Sequence, residues 1–266
     1  MVEFQRKDFY SYEDFLEIMR LLRAPGGCPW DREQTHSSIR RNFLEETYEV
    51  LDAIDHDDAS GMCEELGDVL MQVAFHAQIE AERGRFTMAN VVDGVARKLV
   101  YRHPHVFGDV QADTSQQVLA NWDVLKRREK GQRSTADAVE AVPHTLPALW
   151  RAEKIQSKTA KAGFDWTSSL QALDKLEEEV RELRAALEAG QAADAPHGIR
   201  EELGDTLFMA AKIAQMSGVD PEDALHRACD KFDARFRLVE AADKPLADCS
   251  EAELVALWED AKHKLS

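Results

Sequence analysis

The sequence contains little that would fold into β-strands, and it lacks the features of membrane or secreted proteins. Alternating runs of β-branched residues are absent, and no apolar run approaches the ~20 residues of a membrane span. The four cysteines form no CxxC pair, which is typical of thiols in a reducing compartment. The N-terminal segment lacks the apolar stretch of a secretory signal. We therefore expect a cytoplasmic protein that does not bind membranes.

Positive charge is also scarce. Fifty acidic residues outnumber 33 basic ones, which gives a formal net charge of −17. Such a surface repels phosphate backbones, so we expect no nucleic-acid partner, and an anionic substrate would need a cation to bridge it to the protein. The motifs of P-loop, dinucleotide-binding and serine hydrolase proteins are absent from the sequence.

Most long segments have the apolar period of an α-helix, beginning with Phe15, Ile18, Met19 and Leu22 on one face. The sequence therefore predicts an all-α protein. Further helices are predicted over residues 41–55, 62–83, 89–102, 116–128, 148–163, 171–187, 199–216, 221–241 and 251–264.

Four polar motifs occur twice in the same order, which predicts a duplicated unit. Their spacing varies only between 133 residues (45 to 178) and 137 residues (64 to 201). A polar segment with two prolines separates the copies, and predicts domains 1–130 and 148–266 joined by a linker at 131–147. The paired motifs are Glu45-Glu46-x-x-Glu49 with Glu178-Glu179-x-x-Glu182, Glu64-Glu65-Leu66-Gly67-Asp68 with Glu201-Glu202-Leu203-Gly204-Asp205, Lys98-x-x-x-Arg102 with Lys231-x-x-x-Arg235, and Trp122-x-x-x-Lys126 with Trp258-x-x-x-Lys262.

The acidic motifs of the second copy place like charges on neighbouring positions of two helices. Glu179 and Glu182 share one helix face, as do Glu202 and Asp205. A single EExxE motif is more often a solvated acidic surface, but two such motifs, repeated, favour a site for Mg²⁺ or Mn²⁺, which prefer oxygen ligands.

Gly204 lies in the middle of the second acidic helix, where glycine costs about 1 kcal/mol relative to alanine. It stands among apolar residues that include Leu203 and Leu207. This position predicts the close approach of another backbone or of a ligand.

Basic and aromatic residues of the second copy fit a nucleotide. Lys231 and Arg235, four residues apart on one helix, have the charges and the geometry of a phosphate clamp. Trp258 offers a stacking surface for a base, with Lys262 on the same helix face. Taken alone, each pair is more often an ordinary surface or core-edge feature.

Several motifs together resemble the tandem-domain MazG nucleoside triphosphate pyrophosphohydrolases, over nearly the whole chain. The resemblance implies an all-α NTP-pyrophosphatase fold in which four-helix bundles form by pairing of units. It also implies Mg²⁺ dependence, broad NTP and dNTP substrates, and a homodimer. The motifs are Gly27–Asp31, Leu44–Ile54, Glu64–Asp68, Arg102–Phe107, Gly163–Trp166 and Glu201–Asp205.

The resemblance also assigns roles to residues. The metal ligands are matched by Glu179, Glu182, Glu202 and Asp205, with Glu178 and Glu201 supporting them. The nucleotide contacts are matched by Lys175, Lys231, Arg235, Trp258 and Lys262. The equivalent residues of the first copy are Glu45, Glu46, Glu49, Glu65, Asp68, Lys98, Arg102, Trp122 and Lys126.

Two departures bear on these roles. Asn42 stands in the first copy at the position of Lys175, which favours the C-terminal copy as the catalytic one. Cys229 and Ala96 stand where the family often has an asparagine, two residues before the clamp lysine, so one sugar or phosphate contact is in doubt.

The resulting hypothesis is direct hydrolysis of an NTP to a monophosphate and pyrophosphate, with Glu178 or Glu201 taking a proton from the attacking water. The first alternative is a non-catalytic regulatory or binding protein whose acidic helices form an interface. The second is a di-iron oxidoreductase, for which Glu33-x-x-His36 supplies only half of the motif.

Overall fold

The computed structural model describes residues 4–241 and 244–265, apart from the side chains of Ala120 and Asp123. These residues form α-helices, one 3₁₀-helix and no strand, which confirms the all-α prediction. None of the helices in these ranges has both the length and the apolar character that a membrane crossing requires. The chain divides into two compact units, unit 1 (Met1–Leu125) and unit 2 (Lys126–Ser266).

The described part of unit 1 contains six helices and most of a seventh, which continues past the boundary of the unit. The predicted long helices all form, with ends within three residues of those expected, and two short helices that begin at prolines are additional. The helices are α1 (Tyr12–Arg23), α2 (Pro29–Glu33), α3 (Arg40–Asp55), α4 (Ala59–Glu82), α5 (Met88–Arg102), α6 (Pro104–Phe107) and α7 (Ser115–Glu129).

Unit 2 repeats the order of the long helices. Its first short helix lies within the predicted linker. The helices are α8 (Thr135–Glu140), α9 (Ala148–Ala160), α10 (Ser169–Glu188), α11 (Ile199–Met216), α12 (Pro221–Glu240), the 3₁₀-helix η1 (Leu246–Asp248) and α13 (Glu251–Lys264).

The segment expected to be a linker is therefore partly structured. Ser134 caps α8 by accepting a hydrogen bond from the backbone N–H of Asp137, and α8 packs against α9. Ala138 and Val142, one turn apart, are fully buried. Two small apolar residues are too few to be recognised as the apolar face of a helix in a polar sequence. They suffice to hold about one and a half turns of helix against α9.

The acidic motifs of each unit lie on a pair of consecutive, packed helices, α3 with α4 and α10 with α11. Only three residues connect α3 to α4, so the two form a helical hairpin. Asp57 adopts a left-handed backbone conformation (φ 52°) in this connection, which aspartate tolerates better than most residues. Asp58 then caps α4, since its carboxylate accepts hydrogen bonds from the N–H groups of Ser60 and Gly61 at 3.0 Å.

The core of unit 1 forms where α1 and α4 pack together, along with the residue before α3. Met19, Ile39, Phe75 and Ile79 are buried there. Arg23 fastens the end of α1 to α4 with two hydrogen bonds to Glu82, both of 2.8 Å, while its guanidinium lies 5.2 Å from the centre of the Phe75 ring. These contacts hold the C-terminal half of α4 against α1. They therefore set the direction of its N-terminal half, which carries the acidic motif.

A second polar contact joins the segment before α3 to α4. His36 lies between His76 and Glu80, with Nδ1–Nδ1 and Nε2–Oε1 distances of 2.7 and 2.5 Å. Arg83 and Arg85 also contact the Glu80 carboxylate, which is buried. The hydrogen bonds from His36 and Arg85 lower the pKa of Glu80 to about 2, and burial beside His36 lowers the pKa of His76.

This cluster predicts a specific acid sensitivity. Glu80→Gln should melt at a lower temperature than the wild type at pH 7, and the deficit should shrink as the pH falls from about 5 towards 2. The reason is that a carboxylate whose pKa is lowered by folding stabilises the fold fully at pH values above its ordinary pKa of 4.5. This stabilisation is lost as the pH falls towards the pKa of about 2 in the folded protein.

Circular dichroism melts at a series of pH values measure this. Asp8→Asn, at an exposed carboxylate of the same unit, is the control and should follow the wild type throughout. A Glu80→Gln deficit that does not change with pH would contradict the assigned role.

Candidate metal and nucleotide site

Three carboxylates of unit 2 converge between α10 and α11. Oxygens of Glu179, Glu202 and Asp205 all lie within 4.8 Å of one another. Glu179 and Glu202 are buried, with 6% and 4% of their surfaces exposed, and Asp205 faces solvent. We call these three residues the acidic cluster of unit 2. The two motifs predicted from the sequence to form one metal site are thus brought together.

The negative charges of this cluster act on one another. Loss of solvation and the neighbouring charges of Glu179 and Glu201 raise the pKa of Asp205. Glu182, the fourth predicted ligand, is exposed and lies at the edge of the cluster, where partial desolvation and the charge of Glu179 raise its pKa. Carboxylates held this close are costly without positive charge, and a divalent cation fits the oxygen-only donor set.

Lys175 is paired with the acidic cluster of unit 2. Among residues 4–241 and 244–265, no other basic side chain lies within 3.0 Å of a carboxylate of this cluster. Its ammonium lies 2.8 Å from Glu178 and 2.8 Å from Glu179. The hydrogen bond from Lys175 lowers the pKa of Glu178, and the two carboxylates together raise the pKa of the lysine. Lys175, predicted as a phosphate contact, thus lies directly beside a predicted metal ligand.

Glu201 and a histidine that the sequence argument missed lie at the start of α11. The Glu201 carboxylate accepts a hydrogen bond of 2.8 Å from the backbone N–H of His197. His197 has a left-handed backbone conformation (φ 54°), and its Nδ1 lies 3.6 Å from the Glu202 carboxylate. The sequence could have indicated this contact, because His197 stands just before a helix whose first turn contains Glu201 and Glu202.

A buried lysine holds the segment before α10 against α11. The Lys212 side chain is 1% exposed. Its ammonium lies 2.5 Å from the carboxylate of Asp165 and donates a hydrogen bond of 2.6 Å to the amide oxygen of Gln215. It also lies 5.7 Å from the centre of the Trp166 ring. Lys212 is seven residues, two helical turns, after Asp205 and therefore on the same face of α11. The Gly163–Trp166 motif is thereby fixed close to the start of α10, which carries Lys175 and Glu179.

The predicted clamp residues form a second group on α12 and α13, the aromatic–basic cluster. The rings of Phe232 and Trp258 lie 5.2 Å apart, and Phe232 stacks on Phe236 at 5.9 Å. Arg235 is half-buried, and its Nε has no hydrogen-bond partner among the described residues. In the same group, Lys231 is exposed, and Lys262 pairs with Glu259 at 2.7 Å.

Unit 1 has an acidic cluster of its own. Oxygens of Glu46, Glu49 and Glu65 lie within 4.8 Å of one another. Loss of solvation is the largest cause that raises the pKa of Glu46 and of Glu65, and the negative charge of Asp68 raises both further. Glu45, the remaining acid of the first motif, pairs instead with Arg41 at 2.7 Å.

The clamp residues predicted in the first copy of the repeat have different contacts from those of the second copy. The Arg102 guanidinium lies 5.1 Å from the centre of the Trp122 ring, and Arg102 is buried. Lys98 is exposed on α5, and Lys126 follows Trp122 by four residues on α7.

The sequence predicted that another backbone or a ligand approaches Gly204, and among the described residues no other backbone does so. A Cβ atom at Gly204 would have no atom of residues 4–241 and 244–265 within 4 Å beyond its own helix and neighbours, and the same holds for Gly67 in unit 1. The flanking Leu203 and Leu207 are 46% and 49% exposed. The apolar stripe read from the sequence is present on α11, but within one chain it is not covered.

Comparison with known proteins identifies both units. The model of the MazG nucleotide pyrophosphohydrolase domain matches residues 34–107 and 167–239. The chain is 46% identical to the nucleoside triphosphate pyrophosphohydrolase of Escherichia coli K12 over 226 residues, 85% of each chain. It is 41% identical to the nucleoside triphosphate pyrophosphohydrolase/pyrophosphatase MazG of Thermotoga maritima over 255 residues, 94% of this chain and 95% of that one.

The repulsion within the acidic cluster of unit 2 predicts stabilisation by divalent cations. At a Mg²⁺ concentration about 100 times Kd, linkage gives about 2.7 kcal/mol, seen as a rise in melting temperature at pH 7.5. The rise should be smaller at pH 5, because the raised pKa values of Asp205 and Glu182 let protons compete with the cation.

Glu179→Gln/Asp205→Asn should reduce the rise in melting temperature. Glu177→Gln, at an exposed position of the same helix outside the cluster, should keep it. Equal stabilisation of both variants would show that the acidic cluster of unit 2 is not where the cation binds.

Proposed function

The chain belongs to the MazG nucleotide pyrophosphohydrolase family and is a nucleoside triphosphate pyrophosphohydrolase, and we propose that its second unit carries the activity with Mg²⁺ as the cofactor. Water would attack the phosphorus between the nucleoside and the pyrophosphate leaving group, giving a nucleoside monophosphate and pyrophosphate. NTPs and dNTPs of several bases would be substrates. The observation that carries the proposal is the convergence of Glu179, Glu202 and Asp205 within 4.8 Å.

Glu179, Glu202 and Asp205 would hold the metal, with Glu182 at the edge of the site. When bound, Mg²⁺ supplies positive charge that neutralises a triphosphate and acts as a Lewis acid on its phosphoryl oxygens; Mn²⁺ has the same ligand preference. The formal net charge of −17 favours such a cation as the bridge to an anionic substrate.

The chain's own cations would take the phosphates. Lys175 can exchange its contact with Glu178 for a phosphate oxygen, because both are anionic partners and its side chain is partly exposed. Lys231 and Arg235 would bind the leaving pyrophosphate, and the buried Nε of Arg235 gains a partner in doing so. Trp258, packed on Phe232, would hold the base by stacking, which tolerates different bases, with Lys262 beside it.

Of the two carboxylates proposed as the general base, Glu201 is the better supported. Lys175 lowers the pKa of Glu178 and so weakens it as a proton acceptor. Glu201 lies close enough to Asp205 to raise the pKa of that residue, and its hydrogen bond to the N–H of His197 orients it at the start of α11.

The proposal predicts the loss of pyrophosphate release on neutralising a metal ligand. Glu179→Gln and Asp205→Asn should each reduce release from NTPs by at least about 100-fold, the scale seen when one group that stabilises the charge of a transition state is removed. Helical content by circular dichroism should stay unchanged, and Glu177→Gln is the matched control. Wild-type rates in Glu179→Gln, or no release by the wild type from any NTP or dNTP with Mg²⁺, would favour a binding or regulatory protein.

The same assay assigns the activity to a unit. Glu179→Ala/Glu182→Ala should lose far more activity than Glu46→Ala/Glu49→Ala, because unit 1 has Asn42 in place of the lysine that pairs with Glu179. A larger loss in the variant of unit 1 would place catalysis there instead.

We also propose a homodimer formed through the exposed apolar faces beside the acidic clusters. Leu203 and Leu207 on α11, and Leu66 on α4, are each at least 46% exposed on helices that a monomer would leave half-covered. Gly204 and Gly67 have free space above them, which a helix of a second chain could fill at close range. Pairing of helical hairpins would complete four-helix bundles.

This arrangement predicts that Leu203→Asp/Leu207→Asp is a monomer, since two desolvated carboxylates would oppose burial of the face. Sedimentation equilibrium should give twice the chain mass for the wild type and the chain mass for the variant. Val110→Asp, at an exposed apolar position outside α3, α4, α10 and α11, should stay dimeric. A wild-type monomer, or a dimeric variant, would refute the proposed interface.

We further propose that the protein works in the cytoplasm and without nucleic acid. All four cysteines are free thiols, as expected in a reducing compartment, and the strong negative charge disfavours phosphate backbones.

A further inference from the structure

The interior of unit 2 contains two polar side chains at positions that are apolar in unit 1. Gln156 on α9 and Lys212 on α11 are 3% and 1% exposed. An offset of 137 residues matches them to Met19 and Phe75 (19 to 156 and 75 to 212), and also relates the left-handed glycines that follow α1 and α9 (φ 86° and 89°). Met19 and Phe75 belong to the apolar core of unit 1. The same order of long helices therefore forms without polar groups at these two positions.

These polar side chains do not serve stability in an obvious way. An ion pair in a protein interior is often no more stabilising than apolar side chains of similar volume. Gln156 donates a hydrogen bond of 2.6 Å from Nε2 to the carbonyl of Phe208, one turn before Lys212, but its Oε1 is buried without a hydrogen-bond partner among the described residues. Unit 1 fills both positions with apolar side chains, so we looked for the role of the buried ammonium outside the core.

Lys212 begins a series of contacts that ends in the first turn of α10. Its ammonium lies 2.5 Å from the carboxylate of Asp165, which also accepts a hydrogen bond of 2.8 Å from the backbone N–H of Trp166. The next residue, Thr167, donates a hydrogen bond of 2.7 Å from its hydroxyl to the side-chain oxygen of Gln171 on α10. These contacts join the start of α10 to α11.

The start of α10 determines where the reacting groups lie. Gln171, Lys175 and Glu179 follow one another at intervals of four residues and therefore share one face of this helix. A displacement at Gln171 would move Lys175 and Glu179 relative to Glu202 and Asp205 on α11. A misplacement of about 1 Å at reacting groups can cost about 100-fold in rate.

We infer that Lys212 is a positioning residue for the hydrolysis. Through Asp165 it fixes the start of α10, and hence Lys175 and Glu179, against the carboxylates of α11. The charge is kept in the interior for the reaction and adds nothing to the stability of the fold. The inference rests on the proposed function in one respect, that unit 2 carries the activity.

Lys212→Met tests the role directly, because it leaves an apolar side chain where unit 1 has one. It should lower kcat for pyrophosphate release at saturating NTP and Mg²⁺ by about 10- to 100-fold. KM should change little, since Trp258 on α13 would still hold the base. The melting temperature should equal or exceed that of the wild type. Lys154→Met, the same exchange at an exposed lysine of α9, is the control and should keep the wild-type kcat. Wild-type kcat in Lys212→Met would overturn the inference.

A second pair of variants separates positioning from stability. Asp165→Asn should lower the melting temperature, because it leaves the buried ammonium of Lys212 without its anionic partner. Adding Lys212→Met should restore the melting temperature, whereas kcat should rise no higher than in Lys212→Met alone. Recovery of kcat together with the melting temperature would show that the ion pair serves stability only, and would overturn the inference.

Amide hydrogen exchange of the full chain measures the positioning without turnover. The amides of residues 166–175 should exchange faster in Lys212→Met than in Lys154→Met, while those of α12 exchange equally in both. Equal exchange of residues 166–175 would overturn the inference. Glu179→Gln, assayed in parallel, separates the two claims. Its inactivity beside a fully active Lys212→Met would refute only the positioning role, whereas wild-type rates in Glu179→Gln would refute the proposed function.

Discussion

Repulsion between carboxylates on adjacent helices is the constraint on which the rest of this structure depends. Each like-charged pair on a helix surface costs a few tenths of a kcal/mol, and more where solvent is excluded. In unit 2, two of the three converging carboxylates are buried. Ion pairs outside the clusters hold the helices that carry them in place. They join Lys212 to Asp165 in unit 2 and Arg23 to Glu82 in unit 1.

The two units meet the same constraint with different partners. In unit 2 a lysine, Lys175, pairs with the edge of the cluster and remains exposed enough to move. In unit 1 the position of Lys175 is taken by Asn42, and the buried guanidinium of Arg102 lies 5.1 Å from the centre of the Trp122 ring. The two copies thus keep the acidic motifs in common and differ in the side chains around them.

Much of this could be predicted from the sequence, because helical period and motif repetition are local properties. The long helices and the pairing of the acidic motifs into two clusters followed from spacing alone. Helix α8 did not, since Ala138 and Val142 form too small a stripe to be recognised. The expected neighbour of Gly204 was not found within the chain, because sequence spacing shows that a face is apolar but not which molecule covers it.

The side-chain partners were harder to anticipate than the backbone. Lys175 was predicted to contact phosphate, and its pairing with Glu178 and Glu179 depends on rotamers that sequence does not specify. Lys212, two turns after Asp205, could have been noticed from its position on the same face of α11, but nothing in the sequence marks a lysine as buried. The roles assigned to individual site residues therefore remain predictions that stand on geometry and on family membership.

The most direct test of the central claim is the anomalous diffraction of crystals grown with Mn²⁺. We predict an anomalous peak within about 2.0–2.6 Å of carboxylate oxygens from Glu179, Glu202 and Asp205, the range for oxygen ligands of hard divalent cations. A well-ordered structure at saturating Mn²⁺ with these carboxylates turned apart and no peak between α10 and α11 would contradict the account.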